Sequence, residues 1–178
     1  MHLKMYRCRI CGETYLGHKE PGDCPFCGAH VEFFVAPEKY DAALNSIEPT
    51  EAERADLESS IELERANTRF YLGMTQRTDN DTLRSAYKRL AKVEAEHCSL
   101  FCKLAGVAKP ADLLTPGETT GAWLSDIAES LARETRATAM YSGFAMRATS
   151  PRLREVWEAV AAVEADHVTL DEFALKYV

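Results

Sequence analysis

From residue 50 onward, apolar positions recur at the three-to-four-residue period of helices that bury one face, and polar turn signals divide them into four long stretches. Thr50-x-x-Glu53 is a capping-box signature and opens a helix expected to run to about Gln76. The Asp79-Asn80-Asp81 cluster makes a turn and caps a second helix, for which Gly106 is a stop. A third helix is expected from about Thr120 to Ala148, and Ser150 with Pro151 supplies an N-cap and first-turn proline for the fourth. Residues 1–36 form a separate cysteine-rich unit, and residues 37–49, broken by Pro37, Asn45, Ser46 and Pro49, read as a linker.

The helical region, residues 50–178, repeats itself. Residues 64–97 laid over 134–167 without a gap give 12 identities in 34 positions, including VEAEH over VEADH. The recurring residues are not only apolar: Glu64 falls on Glu134, Tyr71 on Tyr141, Gly73 on Gly143, Glu94 on Glu164 and His97 on His167. Two related helical hairpins follow. Glu64 and Glu94 lie about equally far from the first turn, so an antiparallel hairpin brings them to one level, and Glu134 and Glu164 do likewise about Ser150. Residues 106–119 can span ~46 Å, more than the ~37 Å of a 25-residue helix, so a crossover along the bundle is feasible. Short loop, long crossover, short loop is the topology of a ferritin-like four-helix bundle.

In that topology Glu94-x-x-His97 and Glu164-x-x-His167 each place a carboxylate and an imidazole on one helix face, and Glu64 and Glu134 face them from the other two helices. This is the ligand set of a two-metal carboxylate site, with Glu94 and Glu164 expected to bridge. A solvated charged face is the plainer explanation for any one glutamate. His97 and His167, however, fall among Val93, Leu100, Phe101, Val163 and Leu170, and buried carboxylates without cations are costly. Tyr71 and Tyr141 lie two turns beyond Glu64 and Glu134 on the same face, placed either to donate to a ligand carboxylate or to pack. Cys98 and Cys102 share a stripe beside His97, as a thiol pair or as small packed residues.

Composition narrows the classes. A net charge of -7 without a local basic cluster gives nucleic-acid binding little support, and no apolar run approaches the ~20 residues of a membrane span. The N-terminus lacks the pattern of a secretory leader, so a cytoplasmic, reducing location is expected and cysteines there favour metal over disulfides. Cys8-x-x-Cys11 and Cys24-x-x-Cys27 are two chelating pairs suited to one tetrahedral metal, and zinc and iron both accept four thiolates. Gly12 and Gly28, just after each pair, let backbone N–H groups turn toward the sulfurs.

The wording C-R-I-C-G-E-T-Y followed by C-P-F-C-G resembles the two iron-binding knuckles of rubredoxins, with a gap as short as in the rubredoxin-like domains of rubrerythrins. Tyr6, Tyr15, Phe26, Phe33 and Phe34 would form the core of this small β module. Glu64-x6-Tyr71 and the two Glu-x-x-His motifs resemble the rubrerythrin bundle, and the module-first order resembles the variant called reverse rubrerythrin. The resemblance implies one rubredoxin-type iron on Cys8, Cys11, Cys24 and Cys27, and two non-haem irons, replaceable by manganese or zinc, on Glu64, Glu94, His97, Glu134, Glu164 and His167. It further implies a homodimer with electrons crossing a subunit boundary. The expected activity is NAD(P)H-linked reduction of hydrogen peroxide, fed by a flavoprotein reductase, a rubredoxin or a similar donor. Two alternatives remain: O2 reduction or ferroxidase activity, and a non-enzymatic zinc ribbon on a helical scaffold. The chain departs from the family pattern at Ala137 and Asn67, where neither half supplies a further glutamate, which puts redox-linked iron movement in doubt.

Overall fold

A computed structural model describes residues 2–178. Three short antiparallel strands come first: β1 (Lys4–Cys8), β2 (Thr14–Gly17) and β3 (Phe34–Val35), in the order β2-β1-β3. The β1–β2 register pairs Tyr6 with Tyr15, and the first cysteine pair lies at the end of β1 and in the turn that follows. Phe34 is buried, while Tyr6, Tyr15, Phe26 and Phe33 pack half-buried around the cysteines. The stretch after β3 is more ordered than a plain linker. It holds two 3-10 turns, Pro37–Lys39 and Ala42–Asn45, the second capped by Asp41, which accepts from Ala43 N at 2.8 Å.

Four helices follow: α1 (Glu51–Met74), α2 (Asp81–Ala105), α3 (Trp123–Arg147) and α4 (Pro151–Ala174). The capping box at Thr50 and Glu53 forms as expected, and Asn80 and Ser150 cap α2 and α4. Gly106 ends α2 with φ +69°, a conformation that glycine adopts without strain. The third helix begins at Trp123, later than Thr120, because Asp126 turns back to accept from Thr120 N at 2.7 Å and Thr120 Oγ1 at 2.8 Å. Thr120 is thereby held outside the helix, in a turn containing Gly121 at φ +79°.

The crossover between α2 and α3 lies along α1. Asp112 accepts from Arg65 Nε at 2.8 Å and pairs with Arg69, and Gly117 N donates to Arg69 O at 2.7 Å. A Cβ on Gly73 would sit 2.3 Å from Gly117 O, so glycine is needed there for the close approach. Its repeat partner Gly143 has no neighbour closer than 4.0 Å and carries no such demand.

The core is split. One cluster gathers Leu57, Phe101, Tyr141, Leu153 and Trp157 with the cysteines of the module, and the other gathers Tyr71, Met74, Leu83, Tyr87 and Ile127. Glu64, Glu94, Glu134 and Glu164 belong to neither cluster, although none is exposed. The strand module is pinned to α4 by Arg152, whose Nη2 donates to Arg9 O at 2.8 Å and Ile10 O at 2.9 Å.

Glu53 joins distant parts of the chain. Besides its bonds to Thr50, it accepts from Thr149 N at 2.9 Å and Ser150 N at 2.8 Å, tying the start of α1 to the α3–α4 turn. Burial opposes its charge, but the N–H groups of Ser150 and Thr50 and the nearby hydroxyls outweigh it and hold the carboxyl at about 2. Its contribution is therefore full above the ordinary glutamate range and is lost as pH falls through about 2. Glu53→Ala should destabilise the protein by about 2 kcal/mol in urea unfolding at neutral pH, the scale of a lost cap with charge-assisted bonds, and by much less near pH 2.

Candidate metal centres

The two cysteine knuckles face each other as local repeats. Gly12 N donates to Cys8 O and Gly28 N to Cys24 O, both at 2.9 Å, and the two glycines take φ of +87° and +76°. Cys8 Sγ lies 3.8 Å from Cys27 Sγ, and Cys11 Sγ lies 3.8 Å from Cys24 Sγ. A tetrahedron with metal–sulfur bonds of ~2.3 Å has edges of ~3.8 Å, so the sulfurs are already set for one ion. Glu13 N points at Cys11 Sγ from 3.5 Å, the kind of donor that stabilises thiolate charge. Thiols this close do not titrate independently: Cys24 pushes Cys11 up, and Cys11 pulls Cys24 down.

Within the bundle, all six residues of the expected second site converge. Among the described residues, Glu64, Glu94, His97 and Glu164 offer ligand atoms within 4.8 Å of one another, and so do Glu94, Glu134, Glu164 and His167. Glu94 and Glu164 belong to both sets, as the repeat implied for bridging carboxylates. His97 Nδ1 lies 3.2 Å from Glu164, 3.6 Å from Glu94 and 3.7 Å from Glu64. His167 Nδ1 lies 3.0 Å from Glu94, 3.0 Å from Glu164 and 3.6 Å from Glu134.

The donor atoms meet the test for metal. Glu64 Oε2, both oxygens of Glu94, Glu134 Oε2, Glu164 Oε1 and His97 Nδ1 are buried without a hydrogen-bond partner. Polar atoms left so in an interior are costly unless a cation receives them. Without one, burial and then Glu94 push Glu64 well above the ordinary glutamate range, and the same causes raise Glu134. Burial alone would lower His97, but Glu164 and Glu94 raise it to about 10. Protons therefore occupy the places that divalent ions would take.

The tyrosines are arranged crosswise. Tyr71 donates to Glu134 and Tyr141 to Glu64, so each phenol serves the ligand of the opposite half. The spacing along the chain showed a donor on the right face but could not name its acceptor. Cys98 and Cys102 are core residues: burial and then Cys102 push the Cys98 thiol up to about 12, unfavourable for a reactive thiolate. Sequence reasoning missed Ser130, Tyr87 and Asp171, a buried polar group behind Tyr71. One signal was available, since Ser130 stands four residues before Glu134 just as Ser60 stands four before Glu64.

The two centres meet within one chain. His97 Nε2 lies 2.8 Å from the carbonyl oxygen of Cys27, on the ring edge opposite the carboxylates. The connection after β3 folds the module back onto α2 and α4, where a Cβ on Gly28 would press to 2.6 Å from Val163 Cγ1.

Reverse rubrerythrin-1 of Clostridium acetobutylicum is 31% identical to the chain over 125 residues, which cover 64% of this chain and 68% of that protein. The chain belongs to the rubrerythrin family. No protein-family model and no solved structure matches it. The four-cysteine site and the buried Glu/His cluster fit one rubredoxin-type iron and a di-iron site, and no helix among the described residues is long and apolar enough to cross a membrane.

Because a divalent ion must displace the proton held on His97 up to about 10, loading the bundle site should release protons. Titration calorimetry of the metal-free protein with Fe(II) or Zn(II), in two buffers of different ionisation enthalpy, should show that release and an affinity that climbs with pH toward about 10. Binding without proton release would contradict the assignment.

Proposed function

We propose that this rubrerythrin-type iron protein is an oxidoreductase that reduces hydrogen peroxide to water, with electrons passed from the four-cysteine centre to the bundle centre. The observation that carries the reading is the 2.8 Å contact between Cys27 O and His97 Nε2, which joins a residue of one donor set to a residue of the other. Cys8, Cys11, Cys24 and Cys27 would hold one iron, and Glu64, Glu94, His97, Glu134, Glu164 and His167 would hold two. Bound there, the irons supply the electrons, two for each peroxide.

The chain's own residues supply the setting. Cys27 O fixes the His97 tautomer, with the proton on Nε2 and Nδ1 turned to the site. Tyr71 and Tyr141 hold Glu134 and Glu64 in place by donating to them. Full burial of the four glutamates excludes bulk water and limits entry to a small molecule such as peroxide or O2. The external donor would be a flavoprotein reductase or a rubredoxin, drawing on NAD(P)H, and the protein would work as a cytoplasmic homodimer. Residues 1–36 would be the electron-entry unit, 37–49 the connection and 50–178 the catalytic bundle.

One observation favours O2 reduction or ferroxidase activity as a second reading. Ala137 is fully buried where a further glutamate would stand, and Asn67 in the other half offers an amide. Neither half therefore supplies an extra carboxylate for an iron that shifts position.

Stopped-flow absorbance separates the two. The fully reduced, iron-loaded protein is mixed with H2O2 and, separately, with O2, following the thiolate-iron band. Oxidation should be faster with peroxide. Glu94→Ala should slow it by at least about 100-fold, the scale of losing a reaction-centre group, while keeping the thiolate-iron colour. Faster oxidation by O2, or an unchanged rate in the variant, would overturn the peroxidase reading.

A further inference from the structure

The tyrosines beside the ligand layer have different neighbours in the two halves. The Tyr71 ring lies 5.8 Å from that of Tyr87, centroid to centroid, and Tyr87 stacks on Trp123 at 6.1 Å with 27° between the planes. Both separations fall within the ~4.5–7 Å of aromatic rings in contact. The two outer rings each donate to a carboxylate: Tyr87 Oη to Asp171 Oδ1 at 2.7 Å, and Trp123 Nε1 to Asp79 Oδ1 at 3.0 Å. Asp79 sits in the turn between α1 and α2 with its side chain 58% exposed, so a series of rings that starts inside the bundle ends at the surface.

Behind Tyr141 the series is broken. Tyr141 stacks on Phe101 at 5.5 Å and meets Phe144 edge-on at 6.2 Å, and Trp157 lies beyond Phe144. A phenyl ring has no ionisable proton and is far harder to oxidise than a phenol or an indole. Trp157 takes the place of Tyr87 in the 70-residue repeat, but it is fully buried and donates to the Ser60 hydroxyl at 3.2 Å, not to a carboxylate.

We propose that Tyr87 and Trp123 form a one-sided electron route between the bundle centre and the surface, with the Tyr71 ring bridging the last gap and keeping its own proton. The route rests on the peroxide-reduction reading, which also supplies the need for it. One iron in the module and two in the bundle store three electrons, and each H2O2 takes two. The second peroxide to reach a chain without a donor is therefore one electron short, and an oxidisable pair can make up that electron.

The steps balance. One electron leaves Tyr87 for the oxidised bundle centre, and the phenolic proton passes to Asp171 Oδ1. Trp123 then returns an electron to Tyr87, which takes its proton back from Asp171, while the indole N–H proton passes to Asp79. The Arg77 guanidinium, 4.7 Å from the Trp123 ring, disfavours positive charge on the indole, so its oxidation goes with loss of that proton. An external one-electron reductant such as ascorbate restores Trp123 with the proton held by Asp79. The net change is one electron carried inward, and the two protons that H2O2 takes up come from solvent.

Two measurements test this. In pulse radiolysis of the zinc-loaded protein, azide radicals oxidise indole rings, and the indolyl band should decay as a phenoxyl band grows at a rate independent of protein concentration. That growth should be lost in Tyr87→Phe; should this variant fold poorly, Trp123→Phe breaks the same pair and should lose it too. In the second, the reduced iron protein is treated with excess H2O2 without a donor and mapped by peptide mass spectrometry. Oxidation should mark Trp123 and spare Trp157, be suppressed by ascorbate, be absent from the zinc-loaded protein and fall to that level in Tyr87→Phe. Unchanged phenoxyl growth in both variants, or equal oxidation of the two tryptophans, would overturn the proposal. Should peroxide not oxidise the reduced wild type, the functional reading falls, while the radiolysis result still decides whether Tyr87 and Trp123 exchange an electron.

Discussion

Four carboxylates and two imidazoles are held inside a helical bundle with almost no access to water, and their donor atoms point at one another. Such an arrangement is unfavourable without positive charge: protons can supply it in part, and two divalent ions supply it fully. The rest of the fold serves this constraint. A long crossover keeps both hairpins facing the same centre, the apolar core is divided into clusters on either side of the ligand layer, and Tyr71 and Tyr141 brace the two halves crosswise.

The small strand module is tied to the same centre. With so little apolar core it depends on its four thiolates and on α2 and α4 of the bundle. Arg152 clamps the first knuckle by its carbonyls, Gly28 allows the second knuckle to approach Val163, and His97 meets Cys27 O. A residue with a side chain at position 28 would meet both a positive φ and a clash, which would displace the knuckle nearest the bundle site.

Much of this was legible in the sequence, because it is carried by short-range signals. Helix caps at Thr50, Asn80, Ser150 and Gly106 act within one turn, and the 70-residue repeat displays the ligands twice. What was not legible depends on pairings between distant segments. The start of α3 moved to Trp123 because Asp126 reaches back to Thr120, the tyrosines serve opposite halves, and Cys27 O of the module meets His97 of α2. Asp171 escaped notice for the same reason, since one aspartate on a helix reads as solvent-facing until it is seen buried and accepting from Tyr87 of another helix.

The central claim is that one chain contains both centres in working contact, and complementation tests it most directly. One variant lacks the four-thiolate iron through Cys24→Ser, and another lacks the bundle site through Glu94→Ala; the two are co-expressed and purified together. If electrons pass within a chain by way of Cys27 and His97, the mixture should show no more donor-driven peroxide reduction than the separate variants. Recovery of a substantial fraction of wild-type turnover would mean that the centres of different chains serve each other, and would contradict the account.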